Sequence, residues 1–315
     1  MSYTHFTRDD RVKLAVLLKT GMKRDKIGRI LKKDSVSIWR EIKRNSHGKK
    51  YLPSVAKREA KERKTHRQKK IENDVELRKY IHEKLKLYWS PEQIAGRLRR
   101  ENIVICHETI YQYILRNKKL KKYLRCQKGK YRRRHGTIPR EKAREYGKKH
   151  WIGERPEVIN ARARIGDWEG DTIIGREKTQ RILTHVERFS CYLLADILHV
   201  VSAEIVAEKT IISLKKIPKR KRHSITYDNG TEFSAFEIIE RKTKATIYFA
   251  NAYHSWERGT NENTNGLIRQ FFPKRSSFAK LTQKDVNRVV RLLNHRPRKK
   301  LNYLTPFEIF HCTSF

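Results

Sequence analysis

Residues 166–175 read GDWEGDTIIG, a strand-like run bounded by glycines at 166 and 175 that carries Asp171, and its reading decides the fold of all that follows. Two further strand-like runs come next, Arg181 to Glu187 and Cys191 to Leu198, then an apolar-periodic helix from about Ala203 to Lys215. Ser224 to Tyr227 makes a fourth strand that ends at Asp228-Asn229-Gly230, where the glycine lets the chain turn away sharply. Another helix and a strand at Ala245 to Phe249 lead into SWERGTNENTNGLIRQFFPK at 255–274. There the segment from Glu257 to Phe272 reads as a helix stopped by Pro273. The order of strands and helices predicts an α/β domain in the second half of the chain.

Carboxylates set in apolar strands are conspicuous, because burying a charge costs several kcal/mol unless it is paired or holds a metal. Asp171 lies in the first strand, Asp228 at the end of the fourth, and Glu262 inside the following helix, with 33 residues between Asp228 and Glu262. On that helix Glu262, Asn265, Gly266 and Arg269 share one face, and Leu267, Ile268 and Phe271 pack the opposite side. Singly, a strand-end aspartate is also an ordinary turn residue and a helical glutamate an ordinary solvated one. Together, two strand aspartates and a helix glutamate match a ribonuclease-H-like phosphoryl-transfer site.

The first half is built differently. Thr7 caps a helix with Asp10 three residues on, and Val12, Ala15, Val16 and Leu18 recur at helical spacing until Gly21. A short helix with Ile27, Ile30 and Leu31 inward follows, and a third begins at Ser35. In that third helix Ile38, Trp39 and Ile42 are set to pack inward, leaving Ser35, Ser37, Arg40, Lys43 and Arg44 outward as a helix laid in a major groove requires. The same pattern also describes a plain three-helix bundle with a basic face. A second pattern opens at Ser90-Pro91-Glu92-Gln93, with a serine N-cap, a proline at the first helical position and a glutamine to close the capping box. Ile94 and Leu98 form its inner face, and His107 to Tyr111 opens another helix, so it is helix-turn-helix-like again, with a helical spacer as its alternative reading.

Composition narrows the function. Among 315 residues, 75 lysines and arginines oppose 34 acidic residues, a formal charge of +41 that calls for a polyanionic partner such as nucleic acid. No apolar run approaches the roughly 18 to 20 residues of a membrane span, and MSYTHFTRDD has no secretory pattern, so a cytoplasmic protein is expected. Cys106, Cys126, Cys191 and Cys312 lack any C-x-x-C pair, which argues against zinc or a disulfide framework. The expected domains are a helix-turn-helix domain at 1–70, a second helix-turn-helix-like domain at 71–117, a basic linker at 118–162 and a catalytic domain at 163–315.

The chain closely resembles transposases of the insertion-sequence-thirty family. The resemblance is carried by GDWEGDTIIG at 166–175, YDNGTEF at 227–233, SWERGTNENTNGLIRQ at 255–270 and LNHRPRKKLNYLTPFEIF at 293–310. SIWREIKRN at 37–45, WSPEQIAGRL at 89–98 and HETIYQYI at 107–114 extend it over nearly the whole chain. The resemblance implies a retroviral-integrase-type, ribonuclease-H-like catalytic domain with a mixed five-stranded sheet flanked by helices. It carries the acidic residues over as Asp171 of WEGD, Asp228 of DNG and Glu262 of NEN, with Asp167, Glu169 and Glu257 as the alternatives in other registers. Those carboxylates are expected to hold two magnesium ions, with manganese able to substitute, Asp171 bridging both.

Arg258, Arg269, Lys274 and Arg275 flank the glutamate as candidate phosphate contacts, with ordinary surface charge as the alternative. His254 and Trp256 are candidates for stacking on DNA ends, Trp256 equally for packing under the catalytic helix. The expected partners are double-stranded DNA, as inverted-repeat ends and as target, and at least one further copy of the chain in a synaptic complex. No membrane and no small-molecule substrate are expected, and the bacterial nucleoid is the expected location. Two residues depart from the family pattern, Asp34 in the first recognition turn and Cys106 where a serine N-cap is usual. A repressor derived from a transposase would keep the N-terminal helices without needing the carboxylates. A viral-type integrase or ribonuclease H would bring a zinc module or lack the DNA readers.

Overall fold

The computed structural model describes residues 5–48, 50–65, 70–125, 149–251 and 255–312. The chain divides into two compact units, Met1–Arg78 and Lys79–Phe315.

In the first unit, α1 (Arg8–Lys19), α2 (Arg24–Leu31) and α3 (Ser35–Asn45) precede a two-strand hairpin, β1 (Ser46–His47) and β2 (Lys50–Tyr51), then α4 (Pro53–Thr65) and α5 (Lys70–Asn73). Thr7 and Asp10 form the reciprocal capping box expected for α1. Asp34 caps α3 by accepting from the backbone N–H groups of Val36 and Ser37, which gives that departure from the family pattern a structural role. The core is Leu14, Ile27, Leu31 and Ile38, with Leu17, Leu18 and Ile42 packed against it. Val12, Val16, Ile30 and Trp39, expected inside, are exposed. The run VKLAVLL offers two helical stripes, and the one through Leu14, Leu17 and Leu18 wins over Val12 and Val16 because leucines at i, i+3 and i+4 cover more apolar area. Trp39, next to the buried Ile38, turns outward with the Lys43 ammonium 4.6 Å above its ring.

α6 (Val75–Lys86) spans the division, and the second unit continues with α7 (Pro91–Arg100), α8 (His107–Arg116), β3 (His150–Trp151), α9 (Glu157–Asn160), β4 (Asp167–Ile174), β5 (Arg181–Glu187), β6 (Leu193–Leu198), α10 (Ala203–Lys215), β7 (Ser224–Tyr227), α11 (Phe236–Thr243), β8 (Thr246–Phe249), α12 (Gly259–Ile268), α13 (Gln283–Asn294) and α14 (Pro306–Cys312). One mixed sheet runs β3-β8-β7-β4-β5-β6. β4, β5 and β6 form an antiparallel meander, and β7 and β8 add parallel on the other side of β4. This arrangement fits the ribonuclease-H-like expectation, with a two-residue sixth strand added. That strand, β3, lies inside the span read from sequence as linker and pairs with β8 through Trp151 and Phe249.

Alternation along β4 sends Trp168 into a core shared with α10, α11 and Phe310 of α14, and Ile173 into a second core shared with α12 and α13. The sheet is therefore covered on both faces. The helix expected over Glu257–Phe272 is shorter: a 3-10 turn at Ser255–Arg258 precedes α12, which ends at Ile268. The second helical pair belongs to this unit, where α7 is held by the C-terminal segment. Arg97 grips Glu308 through two bonds of 3.0 and 2.7 Å, and Arg296 Nε donates to Gln93 at 2.9 Å. Gly96 faces the Tyr303 ring so closely that any Cβ there would collide with it. Among the described residues no helix is long and apolar enough to cross a membrane.

Candidate active site

Asp167, Glu169 and Asp171 share one face of β4, since side chains alternate along a strand. The first two are consumed internally. Asp167 accepts from Arg164 Nε at 2.9 Å and from the Ser224 hydroxyl at 2.7 Å. Glu169, fully buried, pairs with Arg188 and accepts from the backbone N–H of Asn261 at 2.8 Å, which seats the start of α12 on the strand. Asp171, farther along, is the member of the row whose carboxylate stands beside Asp228.

Asp228 reaches that place because β7 lies parallel to β4 and ends there. Its Oδ1 accepts from Gly230 N–H at 3.0 Å, closing the turn. Gly170 makes the approach possible, because the Tyr227 ring covers it and a Cβ at 170 would lie 2.1 Å from that ring. Between the aspartates sits the Arg258 guanidinium, 3.0 Å from Asp228 Oδ2 and 3.6 Å from Asp171 Oδ1. Asn265 donates its side-chain amide to Asp171 Oδ2 at 2.8 Å. Burial pushes the Asp171 carboxyl up to about 6, with Arg258 opposing the rise and the charges of Asp228 and Glu232 adding to it.

Glu262 is exposed in the first turn of α12 and carries no hydrogen bond or ion pair among the described residues. Glu262 and Asn265, three apart on α12, share a helix face, and Asn265 holds Asp171; Arg258, in the 3-10 turn just before the helix, holds Asp228. Among the described residues, no three histidine, cysteine, aspartate or glutamate side chains stand close enough to hold a metal ion in this arrangement. A cation already sits between two of the carboxylates, and the donors are hard oxygens of the kind magnesium and manganese take. The Asp171 and Asp228 oxygens suit such an ion, and Glu262 stands exposed on the adjoining helix.

The alternative glutamate is engaged elsewhere: Glu257 accepts from Asn251 N–H at 2.8 Å and from its side-chain amide at 3.0 Å. Of the candidate phosphate contacts, Arg258 points inward with its side chain 12% exposed. Arg269 donates to the Ile174 carbonyl at 2.8 Å. Lys274 and Arg275 are exposed, as are Arg40, Lys43 and Arg44 on α3, while Ser35 and Ser37 are half-buried. His254 and the side chain of Trp256 lie outside the described residues, as does Cys126. The sequence places Asn265 on the face of Glu262 without a role for it, and it gives no role to Asn261 or Glu232. Glu232 accepts from the Thr172 hydroxyl at 3.0 Å and pairs with Arg181, tying the turn after Asp228 to β4 and β5. The available signal was the pair of asparagines four apart in NENTN and an acidic residue four after Asp228 in so basic a chain.

The chain is 40% identical over 319 residues to the transposase for insertion sequence element IS4351 of Bacteroides fragilis, covering 97% of this chain and 95% of that protein. It is 34% identical over 327 residues to transposase InsI for insertion sequence element IS30A of Escherichia coli strain K12, covering 97% and 83%. It is 32% identical over 342 residues to a probable transposase for insertion-like sequence element IS1161 of Streptococcus salivarius, covering 99% and 96%. No protein-family model matches. A chain in the cryo-EM structure of the simian T-cell lymphotropic virus intasome, bound to PP2A regulatory subunit B56 gamma, superposes at a TM-score of 0.38 with 17% identity, over 46% of this chain and 54% of that one, a likeness too slight to carry weight. Full-length similarity to transposases, over a mixed sheet with an acidic strand-end site, defines a DNA transposase. The chain belongs to the insertion-sequence-thirty (IS30) family.

Proposed function

We propose that this transposase binds the terminal inverted repeats of its own insertion sequence, cuts DNA strands there and joins the freed 3′-hydroxyl ends to target DNA, with Asp171, Asp228 and Glu262 as catalytic carboxylates. The observation that carries this reading is the convergence of Asp171 and Asp228 on one cation beside the α12 face that bears Glu262. Two divalent ions, magnesium or manganese, held by these carboxylates would neutralise the attacking and leaving oxygens of an in-line displacement. Asn265 orients the Asp171 carboxylate, and Asn261 clamps α12 to β4 through Glu169. That clamp fixes on β4 the start of the helix that carries Glu262.

In this reading α1–α3 act as a helix-turn-helix, with Arg40, Lys43 and Arg44 on the outward face of α3 at the DNA and Ser35 and Ser37 near its start. α7 and α8 form the second helix-turn-helix-like element, and Lys274 and Arg275 grip backbone phosphate. Synapsis of two ends calls for at least two copies of the chain. The test is purified protein with labelled duplexes of the element's ends and Mg²⁺, wild type against Asp228→Ala. Nicking and joining should vanish in the variant while end binding stays. Nicking that persists removes Asp228 from the chemistry, and binding without reaction in both proteins favours a DNA-binding repressor.

A further inference from the structure

The seat of Arg258 is electrically apt but chemically incomplete. Nη2 donates to Asp228 Oδ2 at 3.0 Å, Nη1 donates to the Gly170 carbonyl at 3.2 Å, and Asp171 Oδ1 is 3.6 Å away. Nε is buried and has no hydrogen-bond partner among the described residues, so charge and not a full set of donors keeps the fork there. The next residue, Gly259, opens α12 and has open space where a Cβ would stand. A guanidinium does not lose its proton in a protein, so it leaves only by moving. Without it the two carboxylates would repel.

We propose that Arg258 is the resident counter-ion of the Asp171–Asp228 pair, a positioning residue that holds the carboxylates at one point until a divalent cation displaces it, whereupon its guanidinium takes a backbone phosphate of the DNA. The inference rests on the carboxylate assignment above. A compact divalent ion outcompetes the guanidinium for hard oxygens, and the freed planar fork suits phosphate bidentately. Metal loading and grip on DNA are thereby coupled through one side chain.

The experiment titrates Mg²⁺ calorimetrically into the full chain, as wild type, R258A, R258Q, R258K and D228A, with thermal unfolding in EDTA alongside. R258A should bind Mg²⁺ about two- to fivefold more tightly than wild type, the effect of removing a partly exposed competing ion pair, yet unfold at lower temperature in EDTA. R258Q keeps most of the length and should show the same gain, which covers failure of the alanine variant to fold; R258K should bind like wild type. Unchanged or weaker Mg²⁺ binding in R258A and R258Q overturns the proposal. If D228A also binds like wild type, the carboxylate assignment itself fails; if D228A loses binding while the Arg258 variants match wild type, only the role of Arg258 fails. For the phosphate step, the salt slope of end binding should drop by about one in R258Q with Mg²⁺ and not in EDTA. An equal slope change in both conditions, or none, removes the coupling.

Discussion

Asn265 on α12 donates its side-chain amide to Asp171 on β4 at 2.8 Å, across 94 positions of sequence. Asn265→Ala should leave the fold within about 2 kcal/mol of wild type, the usual worth of two hydrogen bonds, since Asn265 also accepts from the Thr184 hydroxyl at 3.2 Å. Nicking should fall about ten- to hundredfold, as when an outer partner of a ligating carboxylate is lost. Single-turnover nicking measured beside a melting curve checks this, and an unchanged rate would show that Asp171 needs no such orientation.

Glu262 and Glu257 lie five residues apart and are engaged differently. Glu262→Gln should abolish nicking with little effect on stability, because the side chain is exposed and holds nothing in the fold. Glu257→Gln should retain nicking and cost about 1 kcal/mol through its bonds to Asn251. Reversal of the two phenotypes would mean that the acidic register is wrong.

Arg188 and Glu169 form a buried pair, their side chains 4% and 0% exposed. Arg188→Met strands the Glu169 charge under α12 and should destabilise the protein by about 3 kcal/mol, the low end for a broken buried pair, since Arg155 still acts on Glu169. Adding Glu169→Gln should recover much of that loss. Denaturant unfolding decides it, and a loss below about 1 kcal/mol would contradict the buried pairing.

His185 is fully buried in β5, its Nε2 2.9 Å from the Tyr227 hydroxyl, and burial lowers its pKa from 6.5 to about 4. The unfolded chain takes up this proton as pH falls through 6.5, whereas the folded chain resists until about 4. This contribution is present above pH 6.5 and is lost progressively down to about pH 4, reaching on the order of 3 kcal/mol. Comparing wild type with His185→Gln at pH 7 and pH 4.5 isolates it from carboxylates that titrate in the same range. Equal acid sensitivity in both proteins would count against a neutral buried imidazole.

Features fixed by neighbours in sequence were legible. The capping boxes at Thr7 and Ser90 close over three residues, and β5, β7 and α10 occupy the spans their periodicity indicates. Ambiguity entered where two apolar stripes competed, as in α1, or where an end depended on packing: α12 ends at Ile268, short of Pro273, while Phe271 packs into the core. The acidic trio was named through a resemblance spread over long motifs. Spacing alone left each member with an ordinary reading.

The linear chain by itself determined the charge that demands a polyanion, the alternation of strand and helix, and the positions of Asp171, Asp228 and Glu262, because composition, period and motif are local or additive properties. Only the tertiary structure decided which acidic residue of β4 stands beside Asp228, that Arg258 lies between them, and that α7 is held by residues near the C-terminus. Those outcomes depend on charged groups from distant positions competing for the same partners in three dimensions. Burial then selects the arrangement that leaves the fewest charges unpaired.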